Sequence, residues 1–311
     1  MPCTSIKGPL RVPAPAKVNL CLAVGYPPHD GYHPVESVFF ELPLADDLEL
    51  CLGAVGEGEE PALTAAGTAV LLDCGALDVA ARDNLVFKAV DGFERALGRP
   101  LAGPGQVLRI RVDKRIPAGG GLGGGSSDAA SALKACCTLA GLGPGEQRVQ
   151  ALARSLGADV AFFLQGGTAL MTGRGDVFER ALPAFPLPIV LMGERQGIST
   201  PRIYRDFDAC PVPAPDARAL ARALGAFDAS TAGLEQKRQL ALLCSNNLEP
   251  AAFSALPRLR ERVERARADE DVLHALVTGS GATSFAVCAS REAAQRFEQR
   301  ARSYCDWTCI C

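Results

Sequence analysis

The chain has 311 residues, which is enough for two domains of ordinary size, and its formal net charge is −3. Hydrophobic residues make up 48% and charged residues 22%, which is typical of a globular protein. This balance argues against a nucleic-acid-binding protein, and the absence of any apolar stretch near the roughly 20 residues that span a bilayer argues against a membrane partner.

Cysteine is frequent in the sequence, with 12 residues, but no CxxC pair occurs. The first ten residues lack the apolar core and cleavage site of a signal peptide, so we expect a cytoplasmic protein with reduced cysteines. Cys305, Cys309 and Cys311 are an alternative metal site, but their spacing fits no zinc pattern. We therefore predict no metal-ligand cluster in the chain.

The first part of the chain predicts strands around an irregular segment. Residues 17–24, 35–42 and 47–52 have the composition of strands, and residues 42–46 are expected to connect the second to the third. Residues 53–75 are rich in Gly, Ala and Glu and predict irregular strands and loops. Asp83-Asn84 can cap a helix whose apolar face begins at residue 85.

The middle of the chain carries the clearest pattern. Apolar and charged residues alternate over 108–112, which predicts a half-buried strand. A glycine-rich loop follows, and we predict a helix from Ser126 or Ser127 to about residue 140. A second helix is predicted over 144–156 and a strand over 168–171.

A proline-rich stretch at 182–188 predicts a domain boundary, which divides the chain into 1–182 and 183–311. Beyond it we predict a strand at 189–192, several helices, two strands around a glycine turn within 273–288, and a helix over 291–303. Strands and helices mix without strict βαβ alternation, which indicates an α+β fold with antiparallel or mixed sheets.

The glycine-rich loop holds six glycines, Gly119 to Gly121 and Gly123 to Gly125, directly before a helix. Glycine lets backbone N–H groups approach an anion closely, and a helix N-terminus adds about half a positive charge. Together these features predict a phosphate-binding loop. Ser126 and Ser127 can offer hydroxyls to a phosphate oxygen or to Mg²⁺.

Three other interpretations of this loop are weaker. A flexible linker has no reason to lead into a capped helix. Gly119, Gly121 and Gly124 satisfy GxGxxG, but a dinucleotide site also needs an acid about 20 residues on, and residues 129–145 contain none. A Walker loop needs a lysine after its last glycine, which is absent here. A nucleoside triphosphate held by backbone amides remains.

The sequence resembles the GHMP kinases, the family of galactose, homoserine, mevalonate and phosphomevalonate kinases. Residues 117–127 are similar to the family's phosphate loop, 15–20 to its N-terminal motif, and 278–282 to its C-terminal glycine turn. The resemblance implies an N-terminal α/β domain like domain 2 of ribosomal protein S5, a ferredoxin-like α+β C-terminal domain, and an active site in the cleft between them. It also implies ATP and Mg²⁺ as cofactors and a small-molecule substrate, and we expect a monomer or weak homodimer.

The resemblance assigns the ATP site to Pro117, Ala118, Gly119, Gly120, Gly121, Leu122, Gly123, Gly124, Gly125, Ser126 and Ser127, and also to Asn84 and Lys114. Asn84 could equally cap a helix, and Lys114 could equally be an exposed charge in a loop. Catalysis is assigned to Asp159 as the general base and to Lys17 as its partner. Without the motif, Asp159 would be taken for a helix cap and Lys17 for a surface charge.

Three segments, 30–33, 113–117 and 156–160, narrow the resemblance to members whose polyol substrate carries a cytidine diphosphate. The resemblance places this group near Tyr32, His33 and Tyr204, where a ring can stack on cytosine and a histidine can bond its edge. Asn19 and Thr200 are expected to contact the substrate. Packing or turn formation is the alternative role of these aromatic side chains.

The alternatives for the whole chain are another GHMP kinase, a non-catalytic member of the family and, least favoured, a dehydrogenase. Homoserine and mevalonate have no base to stack on Tyr204. A non-catalytic member is expected to lack the acid or the lysine, whereas Asp159 and Lys17 are both present.

Overall fold

The structure is a computed structural model that describes residues 8–26, 32–75, 79–194 and 196–311. Asp30 and Gly31, which begin the segment 30–33 that narrows the resemblance, lie outside the described residues. The chain forms two compact units that interleave along the sequence. Unit 1 contains residues 1–16, 44–116 and 123–165, and unit 2 contains 17–43, 117–122 and 166–311. The boundary after residue 182 stays a prediction about domain organisation.

The described part of unit 1 contains a sheet and four α-helices. The strands lie in the order β3-β4-β5-β2-β1, where β1 is Leu10–Val24, β2 is Val35–Ala54, β3 is Ala62–Leu63, β4 is Ala69–Asp73 and β5 is Gln106–Asp113. β1 and β2 continue into unit 2, and only their residues up to 16 and from 44 onward belong to unit 1. β5 pairs parallel with β4 and antiparallel with β2.

The helices of unit 1 are α1 (Leu85–Leu97), α2 (Gly124–Ala140), α3 (Gln147–Leu156) and α4 (Ala158–Gln165), and they pack against one another. The Asn84 side chain accepts a bond from the Val86 amide at 2.9 Å and so begins α1, as predicted. Gly98 ends α1 in the left-handed conformation, which glycine adopts without strain. Buried Phe93, Leu133 and the Phe162–Phe163 pair fill the core.

Unit 2 contains the remaining parts of β1 and β2 with β6 (Thr168–Thr172), β7 (Val177–Leu182) and β9 (Ser245–Asn246). β9 pairs parallel with β1, while β6 pairs antiparallel with β2 and β7. A second, antiparallel sheet has the order β10-β11-β8-β12, formed by β8 (Ile189–Gly193), β10 (Val272–Val277), β11 (Ser284–Cys288) and β12 (Trp307–Ile310). The predicted α+β class is confirmed.

In its described residues, unit 2 has six helices, which are α5 (Thr200–Ala209), α6 (Ala217–Ala226), α7 (Leu234–Leu242), α8 (Glu249–Ala255), α9 (Pro257–Arg267) and α10 (Arg291–Ala301). α9 and α10 pack on the second sheet, where Val263 and Phe297 are fully buried. Within the described ranges, no helix is both long and apolar enough to cross a membrane.

Two predictions about elements were wrong in detail. Residues 42–46 do not interrupt β2, because Pro43 lies between the stretches that pair with β6 and β5, and neither ladder needs its missing N–H. α2 begins at Gly124, ahead of both predicted serines, because Gly123 adopts the left-handed conformation (φ 74°) at its start. The edge strand β12 was not predicted at all.

Candidate active site

The first half of the glycine loop lies in unit 2, where backbone contacts hold it in place. The Lys17 amide donates to the Leu122 carbonyl at 3.0 Å, and the Thr283 amide donates to the Gly120 carbonyl at 3.3 Å. A Cβ atom on Gly120 would lie 2.6 Å from the Thr283 hydroxyl, and one on Gly121 would lie 3.0 Å from the Gly281 carbonyl. Glycine is therefore required for the loop to seat against the turn at 278–283.

The second half of the loop, in unit 1, becomes the first turn of α2. The first amides of a helix have no partner within it and point outward, which suits an anion. No acidic residue occupies this turn, and no side chain caps it. The Ser127 hydroxyl is fully buried and has no hydrogen-bond partner among the described residues. This turn can therefore offer both amides and a hydroxyl to a phosphate group.

Lys17 is buried in unit 2 by its neighbours on β1 and β2. Its side chain is 4% exposed, and its Nζ donates to Asn19 Oδ1 at 2.8 Å and lies 4.9 Å from the Phe39 ring centroid. Asn19 Nδ2 in turn donates to the Ser37 hydroxyl at 2.9 Å, which fixes the orientation of the amide. Asn19, predicted to contact substrate, thus holds the lysine, and Lys17 is not the surface charge that its alternative interpretation required.

Asp159 lies in the first turn of α4 in unit 1 and is partly buried. Gly157 precedes this helix, and its amide donates to the Ala153 carbonyl at the end of α3. The positive end of a helix stabilises a nearby negative charge. The position therefore favours a negatively charged side chain, and the role of Asp159 as a base stays a prediction.

The predicted base-binding side chains of unit 2 meet at α5. The His33 ring lies 5.0 Å from the Tyr204 ring, at 59°, and 6.0 Å from the Phe207 ring. His33 Nε2 lies 2.7 Å from Asp208 Oδ1. The structure thus brings His33 and Tyr204 together, and it adds Asp208, which the sequence interpretation had missed.

Two further predicted substrate contacts lie in unit 2. The guanidinium of Arg174 lies 3.4 Å from the centroid of the exposed Tyr32 ring. The Thr200 hydroxyl lies 2.8 Å from the Ser280 hydroxyl, which links the start of α5 to the glycine turn. Whether these side chains contact a substrate stays a prediction.

Asn84 and Lys114 have structural partners in unit 1. Asn84 caps α1, as its alternative role required. Lys114 is not an exposed charge, since its Nζ bridges Asp46 and Asp128, with 2.6 Å to Asp128 Oδ2. Burial alone would lower the pKa of Lys114, but the two carboxylates raise it, while burial raises the pKa of Asp128 to about 6. The cluster ties the end of β5 to the first turns of α2, and a role of either side chain in ATP binding stays a prediction.

Arg262 is a second residue whose role the sequence interpretation missed. The run of arginines in α9 suggests a solvated face, yet the Arg262 side chain is 1% exposed and pairs with Glu194 at 2.9 Å. Its other nitrogens donate to the Ala282 carbonyl at 2.5 Å and to the Ser284 hydroxyl at 3.0 Å. A buried cation therefore holds the glycine turn that contacts the first half of the glycine loop.

Comparison with known proteins agrees with this geometry. The model of the GHMP kinases N terminal domain matches residues 84–167, and that of the GHMP kinases C terminal domain matches residues 220–306. A 4-diphosphocytidyl-2-C-methyl-D-erythritol kinase of Nocardia farcinica is 39% identical over 295 residues, which cover 93% of this chain and 88% of that protein. This chain belongs to the GHMP kinase family.

Other members of the GHMP kinase family extend the comparison. A kinase of the same name from Pelotomaculum thermopropionicum is 38% identical and covers 93% of this chain and 92% of its own length. A crystal structure of 4-(cytidine 5'-diphospho)-2C-methyl-D-erythritol kinase is 32% identical, with a TM-score of 0.72 over 97% of this chain and 98% of that one. A homoserine kinase of Cytophaga hutchinsonii, 19% identical with a TM-score of 0.68 over 100% of this chain and 96% of that one, shares the fold. The expected family and two-domain architecture are confirmed.

Proposed function

We propose that this GHMP kinase transfers the γ-phosphoryl group of ATP to the 2-hydroxyl of 4-diphosphocytidyl-2-C-methyl-D-erythritol, a step of the non-mevalonate route to isoprenoids. The observation that carries the proposal is the agreement over nearly the whole chain with kinases of that name, at 35–39% identity. The arrangement of His33 and Tyr204 beside α5 supports it, because a ring and a ring nitrogen suit a pyrimidine base.

The triphosphate is proposed to bind along the glycine loop. Backbone amides of residues 119–125 and the first turn of α2 supply donors for phosphate oxygens, and the helix dipole favours their charge. The Thr283–Gly120 bond supports the loop's conformation from the glycine turn. The binding thus depends on main-chain geometry more than on a lysine of the Walker type.

Asp159 and Lys17 are proposed to perform the proton and charge chemistry. The alcohol oxygen forms a bond to the γ-phosphorus, the bond from phosphorus to the ADP oxygen breaks, and the hydroxyl proton passes to the Asp159 carboxylate. Lys17, oriented by Asn19, stabilises the negative charge of the reacting groups. Phosphoryl transfer depends mainly on alignment and charge neutralisation, and an acid and a lysine are side chains that can contribute to both.

Mg²⁺ is the proposed metal, since it neutralises phosphate charge when it is bound with ATP. The buried Ser127 hydroxyl, without a partner among the described residues, is an oxygen donor of the kind that Mg²⁺ prefers. No group of three or more acidic, histidine or cysteine ligands occurs in the described parts of the chain. A Mg²⁺ ion here would therefore depend on the nucleotide phosphates for most of its ligands.

The proposal is tested by measuring ADP release, coupled to NADH oxidation, on three alcohols: the CDP-bearing polyol, homoserine and mevalonate. Of the three alcohols, we expect only the CDP-bearing polyol to support ADP release, and this release should also require Mg²⁺. Faster release with homoserine or mevalonate would assign the chain to another branch of the family. ADP release at the same rate with and without any of the alcohols would indicate an ATPase and would contradict the proposed function.

A further inference from the structure

A fully buried hydroxyl group lies on β2 in unit 2, where Ser37 pairs with Met171 of β6 in the strand ladder. The Ser37 hydroxyl donates to the Cys21 carbonyl at 2.6 Å. A serine hydroxyl carries a single hydrogen, so this bond uses the only hydrogen that Ser37 can donate. Toward any other neighbour, the Ser37 oxygen can therefore only accept.

The other neighbour of this oxygen is the side-chain amide of Asn19. Asn19 Nδ2 lies 2.9 Å from the Ser37 oxygen, and Asn19 Oδ1 lies 2.8 Å from Lys17 Nζ. Because an ammonium group has donors and no acceptor, the amide must offer its oxygen to Lys17 and its nitrogen to Ser37. Turning the amide over would set donor against donor at Lys17 and acceptor against acceptor at Ser37. Only one orientation of Asn19 satisfies both neighbours.

The backbone around this amide is held by separate bonds within unit 2. The Lys17 amide donates to the Leu122 carbonyl of the glycine loop at 3.0 Å. The Asn19 amide donates to the hydroxyl of Thr278, a fully buried residue, also at 3.0 Å. These bonds fix the main chain but leave the Asn19 side chain able to rotate. The Ser37 hydroxyl restricts that rotation.

We infer that Ser37 is a positioning residue for phosphoryl transfer: its hydroxyl holds the Asn19 amide with the oxygen toward Lys17, and so keeps the lysine ammonium in place. This inference rests on the proposed function, which gives Lys17 the task of stabilising the charge of the reacting groups. A charge that is fixed in advance stabilises a transition state better than one that must reorient. Loss of the hydroxyl should therefore lower kcat and leave the binding of ATP largely unchanged.

The kinetic test compares Ser37→Ala with Thr168→Val. Ser37→Ala removes the hydroxyl and keeps the rest of the side chain. Thr168 is the matched control, since it lies on β6, next to β2, and its buried hydroxyl has no hydrogen-bond partner among the residues that the structure describes. Both variants thus remove one buried hydroxyl from the same sheet, and only Ser37→Ala removes a bond to Asn19.

For Ser37→Ala we expect kcat to fall about tenfold while KM for ATP stays within about twofold, since an interaction made in the transition state is weakened. Thr168→Val should match the wild type. The assay uses whichever alcohol the wild type phosphorylates, so a wrong acceptor in the proposed function would not by itself contradict the role of Ser37. A kcat of Ser37→Ala within about twofold of the wild type, or an equal fall in Thr168→Val, would overturn the inference.

A double-mutant cycle tests whether Ser37 acts through Asn19. Residues that act through one another have effects that do not add. Adding Ser37→Ala to Asn19→Ala should therefore change kcat by no more than about twofold. A further tenfold fall in the double variant would show that Ser37 acts by another route and would overturn the inference.

Nitrogen-15 NMR of the Asn19 side chain tests the same inference without turnover. The Asn19 signal is identified by its absence from Asn19→Ala. We expect the Nδ2 hydrogens to exchange with water at least about tenfold faster in Ser37→Ala than in the wild type, and at the wild-type rate in Thr168→Val. Equal exchange in all three would refute the inference even if the CDP-bearing polyol is phosphorylated. Failure of the wild type to phosphorylate any alcohol, with the expected exchange, would instead refute only the proposed function.

Discussion

Replacing Arg262 with methionine tests how the glycine turn is supported. The Arg262 and Glu194 side chains are 1% and 4% exposed and form an ion pair at 2.9 Å. Removing the arginine leaves Glu194 as a buried charge without its partner, and breaking a buried pair in this way costs about 3–5 kcal/mol. The bonds to the Ala282 carbonyl and the Ser284 hydroxyl are lost as well. The cost is a large part of a typical folding free energy of about 5–15 kcal/mol.

Urea and thermal unfolding of Arg262→Met, Glu194→Leu and the double variant measure this cost directly. We expect each single variant to lose about 3–5 kcal/mol and to unfold at a temperature lower by at least about 6 °C. The double variant should recover much of the loss, because neither buried charge is then left alone. Arg258→Met, on an exposed position of the same helix, is the matched control.

Two results would refute this reasoning. If Arg262→Met loses less than about 1 kcal/mol, or no more than Arg258→Met, the buried pair contributes as little as a surface pair does. If the double variant loses the sum of the single losses, the two charges do not act as a pair. Either result would also weaken the claim that Arg262 supports the turn that contacts the glycine loop.

Four other predictions can be checked with the same protein. Asp159→Asn should lower kcat by roughly 10²–10⁴-fold with KM nearly kept, and near wild-type ADP release would exclude it as the base. Tyr204→Ala should raise KM for the CDP-bearing substrate more than it lowers kcat; an unchanged KM would remove the stacking role. Gly120→Ala places a methyl group 2.6 Å from the buried Thr283 hydroxyl and should raise KM for ATP about tenfold. Gly143→Ala, which has open space around it, should leave this KM unchanged. Equal KM values for the two variants would contradict the close contact between the glycine loop and Thr283. Burial lowers the pKa of His274 from 6.5 to about 4, so the unfolded chain binds a proton at a higher pH than the folded chain does. The free energy of unfolding should therefore fall by on the order of 3 kcal/mol as the pH drops from 6.5 to about 4. His274→Gln should reduce this fall, and a pH profile in urea unfolding identical to that of the wild type would contradict the prediction.

Local signals explain which elements the sequence predicted well. Asn84 and the apolar face of the following helix lie close together in the chain, and α1 begins where they predict. The strand over 108–112 was predicted from alternation, and the structure extends it only by a few residues at its ends. Pro43 misled the prediction because its tolerance depends on where β2 meets its partners, which is not written in the local sequence.

The site shows the same limit more sharply. The glycine loop was predictable because its six glycines adjoin a helix along the chain. Asp208 was missed because its partner, His33, lies 175 residues away in the sequence. Arg262 was missed because burial of one arginine among exposed ones depends on packing against the second sheet. Contacts between distant residues and the burial of charges are tertiary properties that composition and spacing do not encode.

The central claim, phosphorylation of the CDP-bearing polyol, is tested most directly by identifying the product. The purified chain, ATP, Mg²⁺ and 4-diphosphocytidyl-2-C-methyl-D-erythritol are incubated together and followed by phosphorus-31 NMR. We predict one new phosphomonoester signal that grows in step with ADP. Its phosphorus–carbon coupling should place the ester at the 2-position of the polyol. Growth of ADP with free phosphate and no such ester would contradict the account.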